Sequence, residues 1–77
     1  NNLPLSETKE AGTYLLTRVH DSFGLLKYLD KHAIHIGDQL QVKQFDGFSN
    51  TFTLFHNNEE LQVSLEIAKQ LYVEKMN

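Results

Sequence analysis

The stretch QLQVKQFDGFSNTFTLFHNNEELQVSL, residues 39–65, constrains the fold more than any other part of the chain. Leu40 and Val42 alternate with Gln39, Gln41 and Lys43. Phe52 and Leu54 alternate with Thr51 and Thr53, and Leu61, Val63 and Leu65 follow at the same spacing. A period of two belongs to a strand with one face buried and one face wet. Turn chemistry separates the runs: DGFSN at 46–50, with Asp46-Gly47 as its tight element, and HNNEE at 56–60. The expected product is a meander of antiparallel strands.

The remaining segments fit around that meander. GTYLLTRVH, residues 12–20, is rich in Thr, Tyr, Leu and Val and reads as a strand opened by Gly12, although adjacent Leu15 and Leu16 break the alternation. In SFGLLKYLDKHA, residues 22–33, Leu25, Leu26 and Leu29 fall at helical spacing, with Ala33 one turn on. Either Asp21 or Ser22 can cap this helix, because each side chain can accept from an orphan backbone N–H. Ile34 and Ile36 then alternate with His35, suggesting a return to extended structure, and Gly37-Asp38 signals a turn. SLEIAKQ, residues 64–70, predicts one helical turn capped by Ser64, and LYVEKM closes the chain with a strand. Residues 1–11 read as a polar leader from a preceding domain, in which Leu3 and Leu5 could still dock on the barrel; residues 12–77 form the folded unit.

Five short strands in a chain of 77 residues cannot form a flat sheet with two wet faces. The predicted fold is mainly β: a small, partly open five-stranded barrel, with one inserted short α-helix and a terminal helical turn. The net charge of -3 argues against a broad phosphate-binding surface. With no cysteine, disulfides, thiolate metal sites and a cysteine nucleophile are excluded. No apolar run approaches the roughly 20 residues that span a bilayer.

The histidines are the chemistry-bearing residues. His32 and His35 stand three apart, with Asp38 behind them. That spacing shares a face only within a helix, and the helix is expected to end near His32. His35 would then point away from Ile34 and Ile36, and the two rings would diverge. A histidine near a helix C-terminus also serves the macrodipole once protonated. His20 and Asp21 form a second pair, at a strand-to-helix corner. Adjacent His and Asp can ligate a metal; the alternative, which is favoured, is a polar turn with Asp21 as cap. His56 falls at a hairpin edge and requires no special role. No nucleophile motif, phosphate-cradling loop or catalytic triad is present, so no catalytic residue is assigned and an enzyme is not expected.

LLKYLDKHAIHIGDQLQV, followed by FTLFHNNEELQVSLEIAKQLYV, resembles the C-terminal domain of the diphtheria-toxin-repressor (DtxR) family of metal-dependent transcriptional regulators. That domain is a Src-homology-3-like barrel of the FeoA-like type. Its signature Leu-Leu-x-Tyr-Leu falls at Leu25–Leu29, Gly-Ile-x-Pro-Gly at Ala33–Gly37, and Ser-x-x-x-Ala at Ser64–Ala68, followed by Leu71 to Val73. Ala33 replaces the usual glycine and Ile36 the usual proline. Some members supply a Glu and a Gln from this domain to an ancillary metal site; those positions fall at Ser22 and Leu25, leaving His20 or Asp21 as the candidate metal ligands.

The resemblance implies a cytoplasmic parent protein that binds Fe(II) or Mn(II) and, as a homodimer, operator DNA. A winged-helix domain and a dimerisation domain would carry those activities. The present barrel would hold no cofactor, bind neither DNA nor membrane, and modulate the metal-activated dimer through contacts with the other domains. The alternative is a free-standing FeoA-like protein that modulates a ferrous-iron transporter.

Overall fold

The structure, a computed structural model, describes residues 2–8 and 10–76. Six strands form one antiparallel sheet: β1 (Leu3–Pro4), β2 (Gly12–Val19), β3 (Gln39–Asp46), β4 (Thr51–His56), β5 (Glu59–Ser64) and β6 (Leu71–Lys75), in the order β1-β6-β2-β3-β4-β5. Helix α1 (Phe23–Lys31) connects β2 to β3, and the single turn α2 (Leu65–Ala68) connects β5 to β6. The meander expected over 39–65 is β3–β4–β5. The sixth strand comes from the leader: Leu3 pairs with Val73 and Pro4 with Tyr72, and Leu5 is fully buried in the turn of 3-10 helix that follows. Two residues are too few to show a period, so this strand leaves no pattern in the sequence.

Two bulges curl the sheet. The β2–β6 register shifts between Leu16 and Arg18, and the β3–β4 register shifts between Val42 and Gln44. An extra residue in one strand bends it and increases its twist, which lets so small a sheet wrap its own core. The first bulge follows directly on the imperfect alternation of β2, where Tyr14 and Leu16 are buried and Leu15 is half-buried. The core comprises Leu5, Tyr14, Leu16, Leu40, Val42, Phe52, Leu54, Leu61, Val63, Leu71 and Val73, joined by Leu25 and Leu29 from the inner face of α1, by Ile34 after it and by Ala68 of α2.

Both helices begin as the sequence predicts. Of the two candidate caps for α1, Ser22 is the one used, its Oγ accepting from the Leu25 N–H at 3.2 Å. Ser64 Oγ accepts from Ile67 N–H at 3.2 Å. The ends of the connections hold two differences. In the 46–50 loop the left-handed residue is Asn50 (φ 55) rather than Gly47, and the Asp46 carboxylate accepts from Phe48 N–H at 2.9 Å. The expected alternation over Ile34–Ile36 is not a strand: Ile34 is buried, whereas Ile36 is 60% exposed within a turn. An apolar-polar-apolar triplet is too short for its periodicity to define structure.

Candidate functional site

Two corners of the fold gather the polar side chains. At the first, β2 turns into α1. His20 N–H donates to the Gln70 carbonyl at 3.0 Å, and its Nε2 lies 3.2 Å from the Tyr72 hydroxyl. The Arg18 guanidinium stacks 3.9 Å above the centroid of the same Tyr72 ring. Asp21 is exposed and does not cap the helix. His20 and Asp21, the candidate metal ligands, are therefore neighbours on an accessible corner. Among the described residues, no group of three or more His, Asp or Glu side chains is placed to hold a metal ion.

At the second corner, α1 turns into β3, and its geometry explains the signature residues there. The Ile34 N–H donates to the Leu29 carbonyl at 2.9 Å, and the Ala33 N–H to the Asp30 carbonyl at 3.1 Å. This pair of bonds is a Schellman stop, whose first residue beyond the cap must be left-handed. Ala33 occupies that position with φ 54, which is why glycine is the usual residue there. A β-turn over His35–Asp38 follows, closed by Asp38 N–H on the His35 carbonyl at 2.9 Å. Gly37, in its third position, has φ 98, and no other residue of the turn has positive φ, so the turn is type II. Ile36 stands in the second position, where proline is favoured because its ring presets φ.

Asp38 ties this corner to the sheet. Its Oδ2 accepts from the His35 N–H at 2.9 Å and lies 2.9 Å from His56 Nε2. The His35 Nδ1 is 3.7 Å away. His56 is 2% exposed, the buried polar residue among the described residues. An ionised carboxylate can only accept, so His56 Nε2 carries the proton and donates. The His56 hydrogen bond, reinforced by that of the His35 amide, holds the Asp38 carboxyl below the usual carboxylate range.

The sequence expectation for His56 is thus corrected. Its parity with Phe52 and Leu54 places it on the buried face of β4, and that alternation was the available signal. His32 and His35 each make separate contacts: the His32 ring packs against Tyr28, tilted by 52° with centroids 4.6 Å apart, whereas the His35 side chain is 72% exposed beside Asp38. Asp38 also borders an open polar cleft of about 540 Å³, lined further by Thr13, Gln39, Gln41, Phe55 and Asn57. Its carboxylate is already engaged by two donors, so the cluster resembles a structural clamp more than a reactive centre.

With this geometry the class is defined: a small open Src-homology-3-like barrel with a helix between β2 and β3. The chain belongs to the FeoA domain family, whose match spans residues 3–75. Among solved structures, the manganese regulator SloR is 42% identical, with a TM-score of 0.91 over 95% of this chain and 34% of its own. The metal-dependent transcriptional regulator MtsR is 38% identical, with a TM-score of 0.89 over 95% of this chain and 36% of its own. This chain thus spans only about a third of the length of those regulators. The iron uptake regulatory protein FeoA shares the fold, with a TM-score of 0.83 at 16% identity over 99% of both chains. No curated protein sequence matches significantly. Among the described residues, no helix is long and apolar enough to cross a membrane.

Proposed function

We propose that this chain is the regulatory C-terminal module of an iron- or manganese-dependent transcriptional regulator of the DtxR type, working in the cytoplasm and not as an enzyme. The observation that carries this reading is the 42% identity to SloR across 95% of the chain. The module would adjust the metal-activated, DNA-binding dimer by contacts within the same polypeptide. Residues 1–11 would be the covalent entry from the preceding domain, with Leu3 and Leu5 as its anchored part. His20 and Asp21, accessible at the β2–α1 corner, would be the residues this module offers to a metal held mainly by the other domains.

The test is to express the full gene product and titrate operator-length DNA from its own promoter region by fluorescence anisotropy. Binding should require Mn(II) or Fe(II). DNA binding that ignores metal removes the reading. His20→Ala with Asp21→Ala should weaken the metal dependence while lowering the melting temperature only slightly, through loss of the exposed His20–Tyr72 contact. A second reading, a free-standing modulator of a ferrous-iron transporter, draws support from the mutual 99% coverage with FeoA. A gene product little longer than this chain, co-purifying with a membrane transporter, would favour it.

A further inference from the structure

The two ends of the sheet are finished differently. At one, the leader lays β1 against β6. At the other, β5 pairs with β4 alone, and among the described residues no strand lies beyond it. The hairpin geometry fixes which backbone groups β5 presents there. Asn57 (φ 51) and Asn58 (φ 63) form a two-residue type I′ turn. The pair that closes it, His56 and Glu59, therefore exchanges both backbone bonds. Bonded pairs alternate from that point: Leu54–Leu61 and Phe52–Val63 are bonded, whereas Phe55–Glu60 and Thr53–Gln62 are not. The N–H and carbonyl groups of Glu60 and Gln62 thus point away from β4, out of the edge. Both residues are exposed, and the β4–β5 ladder has no register shift to twist its edge away. The Gln62 side chain leans over β4, its Oε1 accepting from the Thr53 hydroxyl at 3.2 Å, so it leaves the edge open.

We infer that the open edge of β5 is a strand-addition site for an extended segment of another protein that carries lysine or arginine. The backbone of Glu60 and Gln62 offers the donors and acceptors that such a segment needs. Charge selects the occupant. From His56 to Ala68 the chain carries Glu59, Glu60 and Glu66 and neither lysine nor arginine. Two cations stand close by: Lys69, whose Nζ is 3.3 Å from the Glu66 carboxylate, and Lys43, which lies beyond β4 with its Nζ 4.9 Å from the centroid of the Phe55 ring. Neither belongs to β5. A second copy would bring its own Glu59 and Glu60 to the same short edge, where like charges oppose pairing. The same carboxylates favour a cationic strand. The inference goes beyond the proposed function and does not depend on it.

The 77-residue chain is the form to test, because FeoA carries this fold as a whole chain. Amide hydrogen exchange is followed with an excess of the end-blocked hexapeptide Lys-Val-Lys-Thr-Val-Lys, and with its counterpart bearing glutamate for lysine. The lysine peptide should slow exchange at Glu60 and Gln62 by about tenfold, less so at high salt, and the glutamate peptide should not. Gln62→Pro removes one edge donor where an edge strand tolerates proline, and should abolish the slowing at Glu60. Glu59→Lys with Glu60→Lys leaves the backbone groups in place and should transfer the response at the Gln62 amide to the glutamate peptide. No slowing with the lysine peptide, or equal slowing with both, overturns the inference. Slow exchange at Glu60 and Gln62 in the full gene product without peptide overturns it too, by assigning the edge to the parent chain. Self-association of the 77-residue chain in sedimentation velocity, abolished by Gln62→Pro, overturns it by assigning the edge to a second copy.

Discussion

The connection from α1 into β3 and the loop between β3 and β4 are both exposed and both marked by Gly and Asp, yet they are held in different ways. Residues 32–38 are tied at several points. A Schellman stop ends the helix, a type II turn follows, and Asp38 spans from the His35 amide to a buried histidine on β4. In residues 46–50 the side-chain bonds are local, that of Asp46 to the Phe48 N–H and that of Thr51 to the Ser49 carbonyl, while the Asn50 carbonyl accepts from the Leu65 N–H at 2.9 Å. An ionisable side chain therefore ties the first connection to a distant strand, whereas that of the second, Asp46, bonds only within its own loop, which displays Phe48. The difference shows that similar turn residues carry very different structural weight according to whether one side chain reaches a distant strand.

The largest test of this contrast is Asp38→Ala, which strands the buried His56 N–H and frees the turn. It should lower unfolding stability by about 2 kcal/mol in urea titrations, whereas Asp46→Ala should cost about half as much. An equal loss at both positions would erase the distinction.

Acid titration provides the next test. The Asp38 carboxyl is held below its ordinary value in the folded chain, so the ionised form favours the fold. Its contribution is complete above the unfolded Asp value of about 3.9 and is lost as pH falls through the lower, folded value. Wild-type stability should fall over that acid window, while Asp38→Asn, already lacking the charge, should show a flatter profile there by circular dichroism melting.

Smaller gains should come from the two signature departures. Ala33→Gly removes a left-handed alanine and should stabilise the chain by about 1 kcal/mol in the same urea titration. Ile36→Pro places proline where the type II turn favours it and should add about 0.5 kcal/mol. Substitutions of similar kind in the 46–50 loop should move the midpoint less.

Much of this architecture was legible because it is local. Alternation disclosed β3, β4 and β5; Ser22 and Ser64 announced their helices; Gly37-Asp38 announced a turn. The unread parts depend on partners distant in sequence. Leu3–Pro4 becomes a strand only because β6 offers it an edge. Asp38 and His56 meet across 18 positions, a pairing set by how β3 and β4 align rather than by either segment alone. His56 was readable as buried from its parity, but its polarity concealed it. His20 and Asp21 lie where β2 gives way to α1, with Ser22 rather than Asp21 as the cap, and nothing in the sequence reports what approaches that corner from elsewhere.

The shortest strand has a practical consequence for handling the protein. β1 contributes two residues, yet it occupies the outer edge of β6 beside Tyr72 and Val73, and Leu5 fills the core immediately after it. A chain trimmed to begin at Gly12 would retain every long element while baring a strand edge and opening a void beneath it. Such an edge is a template for intermolecular pairing, so the trimmed form would be prone to aggregation and to losing solubility on concentration.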